Sequence, residues 1–398
     1  MFTRKSLLTI LFFTFFIYSS HYGITIYAMN TVFAVMAIVS LFFLKKRELF
    51  FSGFCIAILW FWWIGYSFVY YELIFFVPIV LFAIGILYGV LFYLIGLSQN
   101  LFYKIGFIFL LSYIDPFGFN WFKFELLFID SYFGTSKIEF FIIVASIGLF
   151  IKYKNRYKTQ SYGLLFFVFS SLYGYKYVEV NNTVEKPKIN IMKYQTTIEQ
   201  SKKWNRTYKQ EIIQDNLSAI ENAILNKKDL IILPETAFPL VLNRTHNVNN
   251  KLLEISHYIS VVTGALYEKE GLLYNSTYFY EKGIVQVAHK VVLVPFGEAI
   301  PLPEKIRNFI NDIFYNGAKD YETAKEPTTF NIKGIKFRNA ICYEATTDEI
   351  YQNLDTPYII VTSNNAWFTP SIQPTLQNLL MKYYQKKYNL YYFNVTNY

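Results

Sequence analysis

The sequence predicts a helical membrane domain followed by an α/β domain that lies outside the membrane. The chain has 398 residues, of which 54% are hydrophobic and only 16% are charged, whereas about a quarter of a soluble protein is usually charged. The long apolar runs lie almost entirely within residues 1–178. From residue 186 to residue 398, short apolar runs alternate with amphipathic segments, as in a domain that buries its own core.

Seven apolar segments predict about seven membrane helices in the first domain. They lie at residues 7–19, 25–44, 51–70, 73–97, 101–114, 139–152 and 161–175. A membrane span needs about 20 residues, so the last three segments depend on their Tyr and Phe flanks to reach the interface. Because no small-residue cleavage site follows the first run, we predict a retained helix rather than a signal peptide.

The distribution of basic residues predicts the side of the membrane on which the second domain lies. With the amino terminus in the cytoplasm, ten Lys and Arg residues fall in cytoplasmic segments and two, Lys123 and Lys137, fall in external loops. The cytoplasmic residues are Arg4, Lys5, Lys45, Lys46, Arg47, Lys104, Lys152, Lys154, Arg156 and Lys158. Such a bias sets orientation, and seven spans then deliver the second domain to the outside. Since this topology explains part of the net charge of +9, we expect no nucleic acid partner.

The second domain reads as an α/β or layered α-β fold, because predicted strands and helices alternate along it. Strands are expected at residues 189–192, 229–233, 261–266, 274–280, 283–288, 330–332, 335–337, 358–362 and 391–395. Helices are expected at residues 201–225, 252–259 and 371–387, where apolar residues recur at intervals of three to four. The stretches 274–280 and 283–288 are close enough to form a hairpin.

Three apolar runs of this domain lead to residues that could carry chemistry. Glu235 follows the run at 229–233, and Lys290 lies in a mostly apolar run with Glu298 eight positions later. The apolar runs at 330–332 and 335–337 lead towards Cys342, which lies where such a strand would end. Each residue also has an ordinary explanation. A carboxylate at a strand end often faces water, a lysine can snorkel to the surface, and a free cysteine is usually a small buried apolar residue.

Together these residues supply a nucleophile, a base and a cation. A thiol reacts as the thiolate and needs a base or a positive field, and a carboxylate can take its proton if burial raises the carboxylate's pKa. A lysine can stabilise the oxyanion of a tetrahedral intermediate. None of the four histidines lies in a recognisable Cys-His motif, which favours Glu235 as the base. The other cysteine, Cys55, lies in an apolar run of the first domain, so we expect a free thiol at Cys342.

Five short strings of the second domain resemble one known family. They are Lys203-Trp204, Pro234-Glu235-Thr236-Ala237, residues 290–302 (KVVLVPFGEAIPL), Cys342-Tyr343-Glu344 and residues 363–368 (SNNAWF). These strings are similar to those of the apolipoprotein N-acyltransferases, a membrane-embedded branch of the nitrilase superfamily. That family places several membrane helices before a periplasmic nitrilase-like domain. The resemblance therefore implies that residues 186–398 form an α-β-β-α sandwich and act as the catalytic domain.

The resemblance also implies a role for each of these residues. Cys342 would be the nucleophile, Glu235 the general base and Lys290 the stabiliser of the oxyanion. Four further residues would support the site or contact substrate, namely Glu298, Tyr343, Glu344 and Trp204. No metal and no cofactor is implied.

The implied reaction moves an acyl chain between two lipids. Cys342 first takes the sn-1 acyl chain of a phospholipid, typically phosphatidylethanolamine, as a thioester. The α-amino group of the diacylglyceryl-cysteine of an apolipoprotein then accepts it. The resemblance thus implies a multi-pass protein of the bacterial inner membrane, surrounded by membrane lipids, with its catalytic domain on the periplasmic side.

Three features depart from the family pattern, and two other functions stay open. Asn365 stands where an aspartate is usual, and the amino-terminal helices lack a Pro-Phe-Gly element expected near position 21. The chain also ends soon after the strand at 391–395, so we expect a carboxyl-terminally shortened catalytic domain. A membrane-anchored nitrilase-type amidase could use the same three residues on a small amide, and a degenerate domain could be non-catalytic. Seven spans exceed what an anchor needs, which favours a lipid substrate. The presence of Glu, Lys and Cys argues against degeneration.

Overall fold

The chain folds into two units. The structure, a computed structural model, describes residues 3–70, 73–153, 162, 184–295, 297–299, 304–305 and 321–398. One unit comprises the described residues within Met1–Pro116, Asn120–Thr183 and Ser371–Lys387. The other comprises those within Phe117–Phe119, Val184–Pro370 and Tyr388–Tyr398.

The first unit is helical, and its helices follow six of the seven predicted spans. They are α1 (Arg4–His21), α2 (Tyr27–Phe43), α3 (Lys46–Phe61), α4 (Gly65–Tyr70), α5 (Val77–Ile95), α6 (Leu101–Leu111) and α7 (Lys137–Tyr153). The segment predicted at 51–70 is not one α-helix, because a 3-10 turn at Trp62–Ile64 separates α3 from α4. The seventh predicted span, 161–175, lies outside the described residues except for Tyr162.

Three segments among the described residues are long and apolar enough to cross a membrane, namely Lys46–Tyr70, Ile74–Ile95 and Leu101–Gly118. An aromatic cluster forms part of the core of this unit. The ring of Phe122 packs 4.7 Å from that of Trp60 and 4.6 Å from that of Tyr88. Aromatic rings at such distances add to the stabilisation that burial gives.

The second unit contains two mixed sheets. Its strands are β1 (Ile191–Lys193), β2 (Leu230–Ile232), β3 (Ser260–Lys269), β4 (Leu272–Glu281), β5 (Ile284–His289), β6 (Thr329–Ile332), β7 (Ile335–Ile341), β8 (Tyr358–Asn364) and β9 (Tyr391–Asn397). One sheet has the order β1-β2-β3-β4-β5, with β1, β2 and β3 parallel and the rest antiparallel. The other has the order β6-β7-β8-β9, with β7, β8 and β9 parallel.

Strand β2 is buried on both faces, which explains its uninterrupted apolar sequence. Leu230 and Ile232 belong to a core that also holds Phe337 and Phe393, so this core joins the two sheets. Ile231 belongs to a second core on the other face. That second core also takes residues from two helices, α9 and α10.

Among the residues that the structure describes, four α-helices accompany the strands in the sequence. They are α8 (Gln200–Lys203), α9 (Arg206–Leu225), α10 (His246–Ile255) and α11 (Gln373–Tyr388), of which α11 lies mostly in the first unit. The bounds predicted for α10, residues 252–259, were wrong, because the helix spans His246–Ile255. Val248, Leu252 and Ile255 form the buried face of α10, whereas Ile259 is buried in the turn before β3.

The fold class is confirmed, since an apolar helical domain precedes an α/β domain with two mixed sheets.

Candidate active site

The three residues singled out in the sequence lie at strand ends of the second unit. Glu235 lies just beyond β2, Lys290 directly follows β5, and Cys342 directly follows β7. The first two strands belong to the five-stranded sheet and β7 to the four-stranded sheet. Lys290 Nζ lies 4.0 Å from Glu235 Oε1, and the charges of both residues act on the thiol of Cys342. The packing of the two sheets therefore brings these residues together.

The backbone of Glu235 is held by a neighbouring strand and by a buried lysine. Thr236 has a φ of +46°, an uncommon value for a residue other than glycine, so the chain turns sharply after Glu235. Gly264 of β3 donates its N–H to the carbonyl of Pro234 at 3.2 Å. Lys203 Nζ donates to the carbonyl of Glu235 at 2.9 Å. These two contacts fix the strand end that carries the carboxylate.

The turn at Cys342 is tied to the segment after Lys290 by the carboxylate of Glu344. Cys342 is half-buried and has a φ of +55°, a strained conformation of the kind found at functional sites. Glu344 is 1% exposed, and its Oε2 accepts a hydrogen bond from the N–H of Ile341 at 2.7 Å. Its Oε1 accepts from the N–H groups of Val291 and Val292, the latter at 3.0 Å. Glu344 therefore acts as a brace between two of the strand ends.

Lys290 is completely buried and forms its closest ion pair with Glu298. Its Nζ lies 2.7 Å from Glu298 Oε2 and donates to Glu298 Oε1 at 2.9 Å. Glu298 Oε2 also accepts the N–H of Val294 at 2.9 Å. A buried ion pair is tolerated only where such hydrogen bonds offset the loss of hydration. Glu298 thus orients the ammonium, which also lies within reach of Glu235.

Asn275 bridges the two carboxylates. This residue of β4 is 4% exposed. Its Nδ2 donates to Glu235 Oε1 at 2.7 Å and to Glu298 Oε1 at 3.1 Å. Its backbone carbonyl accepts the N–H of Lys290 at 2.9 Å. Asn275 therefore contacts three of the charged residues of the site.

Burial and neighbouring charges shift the pKa values of the charged pair. Burial raises the pKa of Glu235, and the charge of Glu298 raises it further, against the opposing charge of Lys290. Burial alone would lower the pKa of Lys290, but Glu298 and Glu235 together overcome this effect and raise it. Lys290 therefore keeps its positive charge, while the proton affinity of Glu235 moves towards that of a base useful near neutral pH.

The thiol and the two remaining buried groups are shifted mainly by desolvation. Burial, followed by the charge of Glu235, raises the pKa of Cys342 to about 12, against the opposing charge of Lys290. Burial raises the pKa of Glu344 to about 7, although three backbone N–H groups oppose it. Burial lowers the pKa of Lys203 to about 7. The resting thiol is therefore protonated and requires a base before it can act as a nucleophile.

Two of the predicted supporting residues lie at the margin of this cluster. Tyr343, directly after the cysteine, is buried, and its hydroxyl donates to the carbonyl of Gly118 at 3.2 Å. Its ring stacks on that of Phe119, with centroids 6.0 Å apart. Trp204 ends α8 and has 41% of its surface exposed. Trp204 therefore keeps an exposed aromatic surface, whereas the ring of Tyr343 is packed against that of Phe119.

The sequence reasoning did not identify Lys203 and Asn275 as parts of the site. Lys203 belongs to the Lys203-Trp204 string, but only Trp204 was assigned a role. Asn275 lies within β4, where an asparagine is unusual because the residue is depleted in strands. That polar residue in an otherwise strand-like run was the signal that could have revealed it.

Comparison with known proteins identifies both domains. A family model described as the apolipoprotein N-acyltransferase integral membrane domain matches residues 1–171. A model described as carbon-nitrogen hydrolase matches residues 194–398. The match to the second model covers just over half of the chain and includes every residue of the cluster described above.

Three proteins that are similar over most of the chain share one name. The apolipoprotein N-acyltransferase of Wolinella succinogenes is 40% identical over 386 residues, which cover 97% of this chain and 91% of that protein. That of Helicobacter hepaticus is 37% identical and covers 91% of this chain and 90% of its own. That of Campylobacter jejuni is 36% identical, with 92% and 82% covered. The chain belongs to the apolipoprotein N-acyltransferase family, within the carbon-nitrogen hydrolase superfamily.

Proposed function

We propose that this protein transfers an acyl chain from a phospholipid to the α-amino group of a diacylated lipoprotein through a thioester on Cys342. The observation that carries this mechanism is the buried cluster in which Lys290 Nζ lies 4.0 Å from Glu235 Oε1 and both charges act on the Cys342 thiol. This cluster supplies a nucleophile, a base and an oxyanion-stabilising cation. The named relatives favour this activity over that of an anchored amidase.

In the first stage, the acyl chain moves to the enzyme. Glu235 accepts the thiol proton as the sulfur of Cys342 attacks the ester carbonyl at sn-1 of the phospholipid. The carbonyl oxygen becomes an oxyanion, which the ammonium of Lys290 stabilises. The intermediate collapses when the bond to the glycerol oxygen breaks, and Glu235 returns the proton to that oxygen. The products are a lysophospholipid and the Cys342 thioester.

In the second stage, the same three residues transfer the acyl chain from Cys342 to the acceptor. The α-amino group of the diacylglyceryl-cysteine attacks the thioester carbonyl and gives a proton to Glu235. Lys290 again stabilises the oxyanion, and the carbon-sulfur bond breaks as the amide forms. Glu235 then returns the proton to the Cys342 sulfur, so the enzyme regains its resting state. The thioester allows two bulky lipid substrates to bind in turn rather than together.

The remaining residues of the cluster fit supporting roles. Glu298 holds Lys290 at 2.7 Å, so it keeps the ammonium charged and oriented. Glu344 holds the turn at Cys342 through backbone N–H groups. We assign Trp204 to contact with substrate, because 41% of its surface is exposed. We assign Tyr343 to support of the site, because it is buried directly beside Cys342.

We assign phosphatidylethanolamine as the typical acyl donor and a diacylated apolipoprotein as the acceptor. We also place the protein in the bacterial inner membrane with the second domain on the periplasmic side. The excess of Lys and Arg in the predicted cytoplasmic segments supports this orientation. Lipoproteins reach the enzyme on that face of the membrane under this proposal.

The decisive experiment loads the enzyme with label in the absence of an acceptor. A phospholipid with a labelled sn-1 acyl chain should leave label on the protein, and neutral hydroxylamine should release it, as it does from a thioester. Cys342→Ala should take no label, and Glu235→Gln should fail to load because the thiol loses its base. Cys55→Ala is the matched control, since it removes the other thiol and should load like the wild type.

Two outcomes would overturn the proposal. If Cys342→Ala still acylated a diacylated lipopeptide, the thioester mechanism would be wrong. If Cys342 loaded from a small amide but never from phospholipid, the protein would be an anchored amidase.

A further inference from the structure

We infer that Asn275 is a positioning residue that separates the carboxylates of Glu235 and Glu298 and keeps Glu235 free of a proton. The inference rests on the proposed role of Glu235 as the base. Its starting point is the geometry of one amide group, whose two N–H bonds point to two different carboxylates at 2.7 Å and 3.1 Å.

The orientation of this amide is determined by its surroundings. With Nδ2 towards the carboxylates, the group makes two hydrogen bonds to negatively charged oxygens. The reversed amide would place Oδ1 against those oxygens and lose both bonds. The cost of the observed orientation is that Oδ1, which is buried, has no hydrogen-bond partner among the residues that the structure describes. The two bonds to charged acceptors outweigh that cost.

Asn275 gives the Glu235 carboxylate a close hydrogen-bond donor, which Lys290 does not provide from 4.0 Å. Lys290 lies 2.7 Å from Glu298 but 4.0 Å from Glu235, so its ammonium is shared unequally. Two carboxylates that share one site ordinarily bind a proton between them, because both cannot remain charged at low cost. The amide of Asn275 donates to Glu235 and lowers its proton affinity. Glu235 is thereby available to accept the thiol proton.

Other charged groups also act on Glu235, and they do not replace this donor. Lys203 contacts its backbone carbonyl rather than its carboxylate. Cys342 carries no charge in the resting state, because its pKa is raised to about 12. Glu298 opposes ionisation, and Lys290 favours it from 4.0 Å. Asn275 therefore donates to the Glu235 carboxylate at a shorter distance, 2.7 Å, than the 4.0 Å at which the Lys290 ammonium lies.

The test measures protonation of Glu235 directly in the full-length protein. Infrared titration follows the carboxyl C=O stretch, and the band of Glu235 is assigned by its loss in Glu235→Gln. In Asn275→Ala, the midpoint of this band should rise by about one pH unit or more, because a bond to a charged group is lost. The acidic limb of acyl loading from labelled phospholipid should move upwards with it.

A second variant keeps the shape of the side chain. Asn275→Asp replaces the donor with a third carboxyl group, so the Glu235 midpoint should again rise and loading near neutral pH should fall at least as far as in Asn275→Ala. Asn243→Ala is the matched control. It removes another amide, whose Nδ2 donates to the carbonyl of Glu268 at 2.7 Å, and should leave both measurements unchanged.

The outcomes separate this inference from the proposed function. An unmoved Glu235 midpoint in both Asn275 variants would overturn the inference, as would a loading rate that fell by the same factor at every pH. Failure of both variants to fold would assign Asn275 a purely structural role and would also overturn it. A wild-type protein that never loads from phospholipid would instead refute the proposed function, while the infrared titration would still decide the effect of Asn275 on Glu235.

Discussion

Replacing Gly264 with alanine tests how closely the strand end at Glu235 must be positioned. A Cβ at residue 264 would lie 2.3 Å from the backbone nitrogen of Thr236 and 2.6 Å from Cα of Glu235. Ordinary contacts of a Cβ begin at about 3.4 Å. Because the obstructing atoms are backbone, the turn after β2 must retreat by about 1 Å to admit the methyl group.

That displacement should reduce catalysis much more than stability. A shift of about 1 Å in a catalytic group can cost about a hundredfold in rate, whereas overpacking typically costs about 1–3 kcal/mol. We therefore expect Gly264→Ala to load labelled acyl chain on Cys342 about a hundredfold more slowly than the wild type while it remains folded. Loading from phospholipid gives the rate, and thermal unfolding gives the stability.

A second glycine provides the control for the added methyl group. A Cβ at Gly106 of α6 meets nothing within 4 Å, so Gly106→Ala should match the wild type in both measurements. If Gly264→Ala loaded within about threefold of the wild-type rate, the strand could accept the methyl group without moving Glu235, and the reasoning would be refuted.

Three further predictions test the cation, the brace and the topology. Lys290→Arg should slow acyl loading about a hundredfold, because a planar guanidinium does not replace a compact ammonium at an oxyanion. Loading at the wild-type rate in Lys290→Ala would rule out the role of Lys290. Glu344→Ala leaves three backbone N–H groups without their acceptor, so it should lower the free energy of unfolding by about 3 kcal/mol or more. Glu344→Gln should lower it by less, and thermal unfolding measures both changes. A reporter active only outside the cytoplasm should be active when fused after Tyr398 and silent near Arg156, and the reverse pattern would refute the predicted orientation.

The sequence was sufficient to predict the strands that carry the site. Glu235 follows a short apolar run that is recognisable because both faces of β2 are buried. The strand before Cys342 was predicted only at 335–337, because Arg338 and Asn339 interrupt its apolar sequence, whereas β7 continues to Ile341. The sequence pattern alone did not determine that these strand ends meet. That expectation came from the family resemblance, since the packing of one sheet on another depends on contacts far apart in the chain.

The residues missed were those whose roles depend on these long-range contacts. Lys203 is buried, yet a lysine next to another lysine in a short helix has the sequence of an exposed segment. Asn275 gains its role only when β4 lies beside both Glu235 and Glu298. The bounds of α10 were misjudged for a related reason, because Ile259 is apolar and buried without being helical.

The electrostatics of the site determine when the nucleophile forms under the proposed mechanism. Burial and the charge of Glu235 favour the protonated thiol of Cys342, unlike sites that maintain a thiolate beside a cation. The negative charge is stabilised only as it passes from the sulfur to an oxyanion beside Lys290. The proton therefore moves to Glu235 during attack on the ester rather than before it. An unloaded enzyme then carries an unreactive thiol, which suits a protein that must wait for one lipid and hold its acyl chain for another.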